Sequence, residues 1–143
     1  MKKHLLTLLV LMLFASGAWA QKMSPVGVWT NEEGKARFEI YKCGDKLCGK
    51  IVELKEPLRN GKPKMDDNNP DKKLRSRQLQ GMRFMEGFEY EGDNKWDEGT
   101  IYDPESGKTY SCYMKMTGKD KMEVKGYIGI SLIGRTQNWT RVN

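Results

Sequence analysis

Two successive runs of strict alternation constrain this chain more than any other feature of it. Tyr110, Cys112, Met114 and Met116 alternate with Thr109, Ser111, Tyr113 and Lys115. After Gly118-Lys119-Asp120, Met122, Val124, Gly126 and Ile128 alternate with Lys121, Glu123, Lys125 and Tyr127. A side-chain period of two belongs to a strand with one buried face and one wet face, so these runs predict an antiparallel pair. Upstream, Trp96–Tyr102 runs into Asp103-Pro104-Glu105-Ser106-Gly107, where Pro presets φ and Gly accepts a positive one. Three strands of a meander are therefore written into residues 96–128.

The rest of the chain extends the pattern. Val26–Thr30 reads as a first strand and Ala36, Phe38 and Ile40, alternating with Arg37, Glu39 and Tyr41, as a second. Gly49–Leu54 reads as a third. Met82, Phe84, Phe88 and Tyr90 share one face of a fourth, with Glu86 on that face needing a partner if it points inward. Thr136–Val142 supplies the eighth, with Gln137, Trp139 and Arg141 on one side. Eight short antiparallel strands bury their edges most simply by closing into an up-and-down barrel.

The amino terminus has a separate role. Lys2, Lys3 and His4 precede the apolar run Leu5–Phe14, and Ala18-Trp19-Ala20 is a small-x-small cleavage pattern. Residues 1–20 are expected to be a secretory signal peptide, too short an apolar run to span a membrane, leaving 21–143 as one domain. The expected address is periplasmic or secreted. Removing Lys2 and Lys3 leaves 23 basic residues against 19 acidic, a net charge of +4. The basic residues are interspersed with acids along most of the chain, which together with export argues against a nucleic-acid partner.

The single histidine is His4, within the leader, so the expected mature chain contains none. That removes Ser-His-Asp and Cys-His catalysis, His-ligated zinc and His-ligated haem together. No catalytic motif stands in their place, and the expectation is a non-enzyme without a cofactor.

Cys43 and Cys48 flank a hairpin, and an exported chain should close it with a disulfide. Setting the two cysteines opposite one another places Ile40 against Ile51 and Tyr41 against Lys50. A redox or metal pair is the rival reading, but four intervening residues lack the CxxC spacing. Cys112 then remains as a thiol in an apolar row, opposite Gly126, and is expected in the core.

Residues 55–81 break the rhythm. Asn60-Gly61-Lys62-Pro63 is turn chemistry, and Asn69 could cap a short helix, with Pro70 at its first position and Asp71 in its first turn, running to about Arg75 with Leu74 packing down. The oxygen-rich run Asp66–Asp71 invites calcium, yet no Gly occupies the sixth position and Arg77 stands where the bidentate acid belongs. Arg75 and Arg77, with Arg135, could form a cationic rim for a carboxylate or phosphate. Alternatively each pairs with an acid of its own loop and staples that loop to the barrel.

Gly27-x-Trp29 near one end and Trp139-x-Arg141 near the other resemble the end signatures of the lipocalin superfamily, in which a late arginine lies across an early tryptophan. Further motifs extend the likeness over nearly the whole expected mature chain. They are Cys43-Gly44-x-x-Leu47-Cys48-Gly49-x-Ile51-Val52, Asp67-x-Asn69-Pro70-Asp71-x-x-Leu74-Arg75-x-Arg77, Trp96-x-x-Gly99-x-Ile101-Tyr102-Asp103-Pro104 and Gly134-Arg135-Thr136. With them the chain resembles a family of exported bacterial proteins of unknown function grouped with lipocalin-like barrels. The resemblance implies a fold and a compartment, and no reaction.

An eight-stranded barrel can be solid or hold one small ligand. Phe38, Ile40, Phe84, Phe88, Tyr110 and Met114 are the inward candidates for a small apolar or amphipathic ligand, with Arg75, Arg77 and Arg135 at its rim. The alternative is a filled barrel that serves as a structural or protein-interaction domain of the cell envelope. It would make its contacts through residues 126–134 and 55–81.

Overall fold

A computed structural model describes residues 22–130 and 134–143. The expected leader lies outside them, as does Leu132. The strands in chain order are β1 (Gly27–Thr30), β2 (Ala36–Cys43), β3 (Lys46–Leu54), β4 (Leu58–Arg59), β5 (Lys62–Pro63), β6 (Arg83–Gly92), β7 (Lys95–Asp103), β8 (Lys108–Gly118), β9 (Lys121–Tyr127) and β10 (Gly134–Arg141). Eight of them close into one antiparallel barrel in the order β1-β10-β9-β8-β7-β6-β3-β2. β4 and β5 form a separate two-stranded ribbon in the β3–β6 connection. Its turn is Asn60-Gly61, both at positive φ (52° and 75°), the pair a type I′ turn requires.

Closure is made by the chain's two ends. β1 pairs β10 with Trp29 directly opposite Arg141. Alternation carries Ala36, Phe38 and Ile40 inward from β2, and Cys112, Met114 and Met116 from β8. Met122 and Val124 enter from β9. Cys112 is paired with Gly126, as the turn at 118–120 predicts, and also with Gly99. Because the strands alternate up and down, the connections fall into two groups. The 31–35, 55–82 and 104–107 segments and residues 128–130 lie at one end, called here the loop end. The tight turns at 44–45, 93–94 and 119–120 lie at the other.

Three expectations are corrected. In the first hairpin Cys43 faces Lys46, Tyr41 faces Cys48, Ile40 faces Gly49 and Phe38 faces Ile51. The turn is therefore only Gly44-Asp45, with Gly44 at φ 64°. The register slips by two residues, which preserves the faces, and the Cys43–Cys48 disulfide forms diagonally across a Cα separation of 5.8 Å. In β6 the phase also differs. Met85 is fully buried beside Phe84, whereas Glu86 is exposed and reaches Arg83 at 3.7 Å. Two positive-φ residues on adjacent strands, Gly87 (φ 82°) and Glu98 (φ 62°), interrupt the alternation of β6 and β7. Finally, the helix in the long connection is a single 3-10 turn, Lys72–Leu74, capped not by Asn69 but by the Asp71 carboxylate accepting from Lys73 N at 3.0 Å, while Asn69 Oδ1 accepts from Asp71 N at 2.9 Å. Leu74 is exposed rather than packed down.

Candidate functional site

A cavity large enough for a ligand would leave free surface on the side chains that line it. Ile40, Met85, Cys112 and Met114 have none, and Phe88, Met122 and Trp139 have almost none. The middle of the barrel is filled. Phe38 is spent on neighbours, stacked on Trp139 at 4.5 Å and tilted against Phe84 at 5.2 Å. Tyr110 is half-buried on β8, and Arg135 is exposed at the start of β10.

Arg75 and Arg77 are held by their own loop. Arg75 Nε donates to the Asn69 carbonyl at 2.7 Å. Arg77 Nε donates to Asp66 Oδ2 at 2.9 Å. Asp66 is fully buried, and it also accepts from Asn69 Nδ2 at 2.8 Å and from the Tyr102 hydroxyl of β7 at 2.6 Å. Burial alone would push this carboxyl up. The three donors outweigh it and hold the carboxyl below its ordinary value. Burial, followed by the bond to Asp66, pushes the Tyr102 hydroxyl up to about 12. This network and the bonds from Asn68 Nδ2 to the Pro104 and Glu105 carbonyls fasten the 55–81 connection to the barrel wall.

Space for a ligand lies instead at the tight-turn end. The segment preceding β1 is drawn across that mouth by backbone chemistry. Trp29 Nε1 donates to the Pro25 carbonyl at 2.8 Å. Arg141 donates to the carbonyls of Ser24 (2.7 Å) and Val26 (2.9 Å), and Met23 N donates to Asn94 Oδ1 at 2.9 Å. Between this segment, the β2–β3 turn and the aromatic pair Tyr90–Trp96 (4.9 Å) is a cleft of about 420 Å³. Its apolar wall comprises Met23, Val26, Leu47, Phe88, Tyr90 and Trp96, and its rim carries Lys22, Lys42 and Lys46 together with Asp45. Lys22 Nζ lies 3.9 Å over the Tyr90 ring, and Lys46 reaches Glu89 at 3.1 Å. Phe88 can stand here because Gly99 offers no Cβ, which would collide with its ring.

Of the inward candidates, only Phe88 lines this cleft. Trp96 is alternation-compatible and Lys42 and Lys46 flank a hairpin turn, so those three were detectable in principle. Met23 and Val26 belong to a segment with no periodic signal. A second depression of about 380 Å³ lies on the outer wall beside the disulfide, lined by Arg83, Glu86 and Glu98 among others. Its charged walls partly satisfy one another through the Arg83–Glu86 pair.

Cys112 is no nucleophile in this setting. Burial, then the nearby Asp97 charge, pushes its thiol far above the ordinary range, and it is the free cysteine among the described residues. No helix among the described residues is long and apolar enough to cross a membrane.

The comparisons agree with this architecture. A Helicobacter pylori structure described as belonging to the lipocalin family superposes with a TM-score of 0.76. The match covers 85% of this chain and 84% of that one, at 21% identity, which shows a common fold. No curated protein matches the sequence. The family described as "uncharacterized protein conserved in bacteria" (DUF2147) matches residues 27–141, from the first barrel strand to the last. The chain belongs to the DUF2147 family and folds as a lipocalin-like barrel.

Proposed function

We propose that this is an exported, non-enzymatic binding protein that takes a small amphipathic anion at the tight-turn mouth of the barrel, and not in its interior. One observation carries the reading: among the described residues, a cleft of ligand size opens between the 22–26 segment and the Tyr90–Trp96 pair, and its rim bears three lysines against one aspartate. An acyl or aryl body would lie against Met23, Val26 and Tyr90, the lining apolar side chains that keep free surface, and its carboxylate would meet Lys42 or Lys46. The filled barrel supports placing the ligand at the mouth, because a ligand inside would have to displace Met85 and Met114. The absence of histidine after His4 and the burial of Cys112 support a role without catalysis.

Native mass spectrometry of protein purified from its own envelope tests this. A copurifying small anion, lost in a Lys42→Glu/Lys46→Glu variant that melts normally, is the expected result. No copurifying molecule, together with no decanoate binding by tryptophan fluorescence, would leave a filled barrel acting through its outer surface.

A further inference from the structure

The excess positive charge of this protein sits in one place. Residues 55–81 carry eight basic side chains and four acidic ones, whereas the remainder of 22–143 carries fifteen of each. Part of this charge is already used: Arg77 on Asp66, Arg59 on Asp67 at 3.5 Å, and Arg75 on the Asn69 carbonyl. Lys62, Lys72 and Lys73 are exposed and have no carboxylate within ion-pair distance among the described residues. Two acids in the neighbouring 31–35 turn are occupied, Glu33 by Lys35 at 2.6 Å and Glu32 by the backbone and side chain of Asn138.

The same end of the barrel gathers exposed apolar side chains. Six large hydrophobic residues are exposed among the described residues, and four belong to loop-end connections: Leu58 (54%), Leu74 (38%), Ile128 (71%) and Ile130 (59%). Ile128 and Ile130 lie just beyond β9, between Lys125 and Arg135 in the sequence. Up-and-down topology brings their hairpin and the cationic 55–81 connection to one end, although some 50 residues separate them. Solvated loops do not ordinarily present a pair of isoleucines this bare.

We propose that the loop end docks peripherally on an anionic phospholipid bilayer, with Ile128 and Ile130 entering the interface and Lys62, Lys72 and Lys73 meeting headgroup phosphates. Interfacial binding strength grows with buried apolar area plus attraction to anionic lipid, and this end supplies both. The proposal is independent of the ligand cleft, which opens at the opposite end. A protein bound this way would keep that cleft turned towards the aqueous phase.

The test is co-sedimentation of the exported protein, its mass verified to lack residues 1–20, with vesicles of phosphatidylglycerol and phosphatidylethanolamine or of phosphatidylcholine alone. Partitioning should be at least about tenfold stronger on the anionic vesicles and should weaken as salt rises. Ile128→Asp/Ile130→Asp and Lys72→Glu/Lys73→Glu should each reduce it by about tenfold or more, with unchanged thermal unfolding. Fluorescence of Ile130→Trp should be quenched by brominated lipid. Equal partitioning on both vesicles, no partitioning, or indifference to both double variants overturns the proposal. So does an envelope protein that crosslinks at position 130 while the Ile130→Trp fluorescence stays unquenched.

Discussion

The Arg141 guanidinium lies 4.3 Å over the Trp29 indole and at the same time donates to three backbone carbonyls, those of Ser24, Val26 and Lys119. It also reaches the Asp120 carboxylate at 3.3 Å. One side chain on the last strand thus joins the first strand, the segment that crosses the mouth, and the β8–β9 turn. Cation–π attraction of about 0.5–2 kcal/mol is only part of its worth, since charged donors add more. Arg141→Ala should cost about 2–4 kcal/mol, read as a lower urea midpoint at unchanged m. Arg141→Lys should recover only a small part, because an ammonium lacks the fork that reaches separated carbonyls.

Gly27 is the second half of that arrangement. It sits at φ 137°, and a Cβ there would stand 2.6 Å from Arg141 Nη1. Gly27→Ala should therefore destabilise by about 2 kcal/mol through both backbone strain and displacement of the arginine. In an Arg141→Ala background the penalty should shrink, and a double-mutant cycle on urea midpoints measures the coupling.

The buried Asp66 carboxylate predicts acid sensitivity of the 55–81 connection. Its folded value is depressed below the ordinary 3.8, so its stabilising contribution is present above that value and is lost as pH falls through the lower folded one. Hydrogen exchange at Asp66 N and Leu79 N, which bond to the Arg77 and Lys64 carbonyls, should accelerate below about pH 4 in excess of the global unfolding rate. Asp66→Asn should cost about 2–4 kcal/mol at neutral pH and flatten the acid limb of stability. Tyr102→Phe should weaken the same fastening by about 1–2 kcal/mol.

The cysteines separate cleanly by environment. The Cys43–Cys48 disulfide closes a six-residue hairpin segment, and reducing it should cost about 2 kcal/mol by loss of the loop constraint. Thiol labelling of the folded, oxidised protein should be negligible, because Cys112 is fully buried and its thiol is pushed up. One thiol should appear in denaturant, and three after reduction.

Much of this fold was legible because a buried face repeats every second residue. β8 and β9 could be read directly, including the Cys112–Gly126 partnership. The closing pair was legible only through the resemblance of Gly27-x-Trp29 and Trp139-x-Arg141 to the end signatures of lipocalin-like barrels. Legibility failed where a single backbone choice shifts the pattern. With positive φ at Gly87 and Glu98, Met85 faces inward and Glu86 outward; the isolated Gly87 was a signal of such a break, but Glu98 carries none. The two-residue register slip in the cysteine hairpin is invisible to alternation for the opposite reason: it leaves every face unchanged. The cleft was the least legible feature. Its walls come from Phe88 and Trp96 on two strands and from Met23 and Val26 on an aperiodic segment, which only Arg141 and Trp29 bring over the mouth. Arg75 and Arg77 admitted two readings, a binding rim or a staple for their own loop, because sequence shows their charge and not the carbonyl and carboxylate that hold them.

Methyl NMR during titration with decanoate distinguishes a ligand at the mouth from one in the barrel, since methionines mark both places. Met23 lines the mouth cleft, and Met85, Met114 and Met122 fill the barrel. Binding at the mouth should give saturable shifts at the Met23 methyl, reduced in Lys42→Glu/Lys46→Glu, with the three interior methyls unmoved. Saturable shifts at Met85 and Met114 instead would mean that the ligand enters the barrel, and would contradict it.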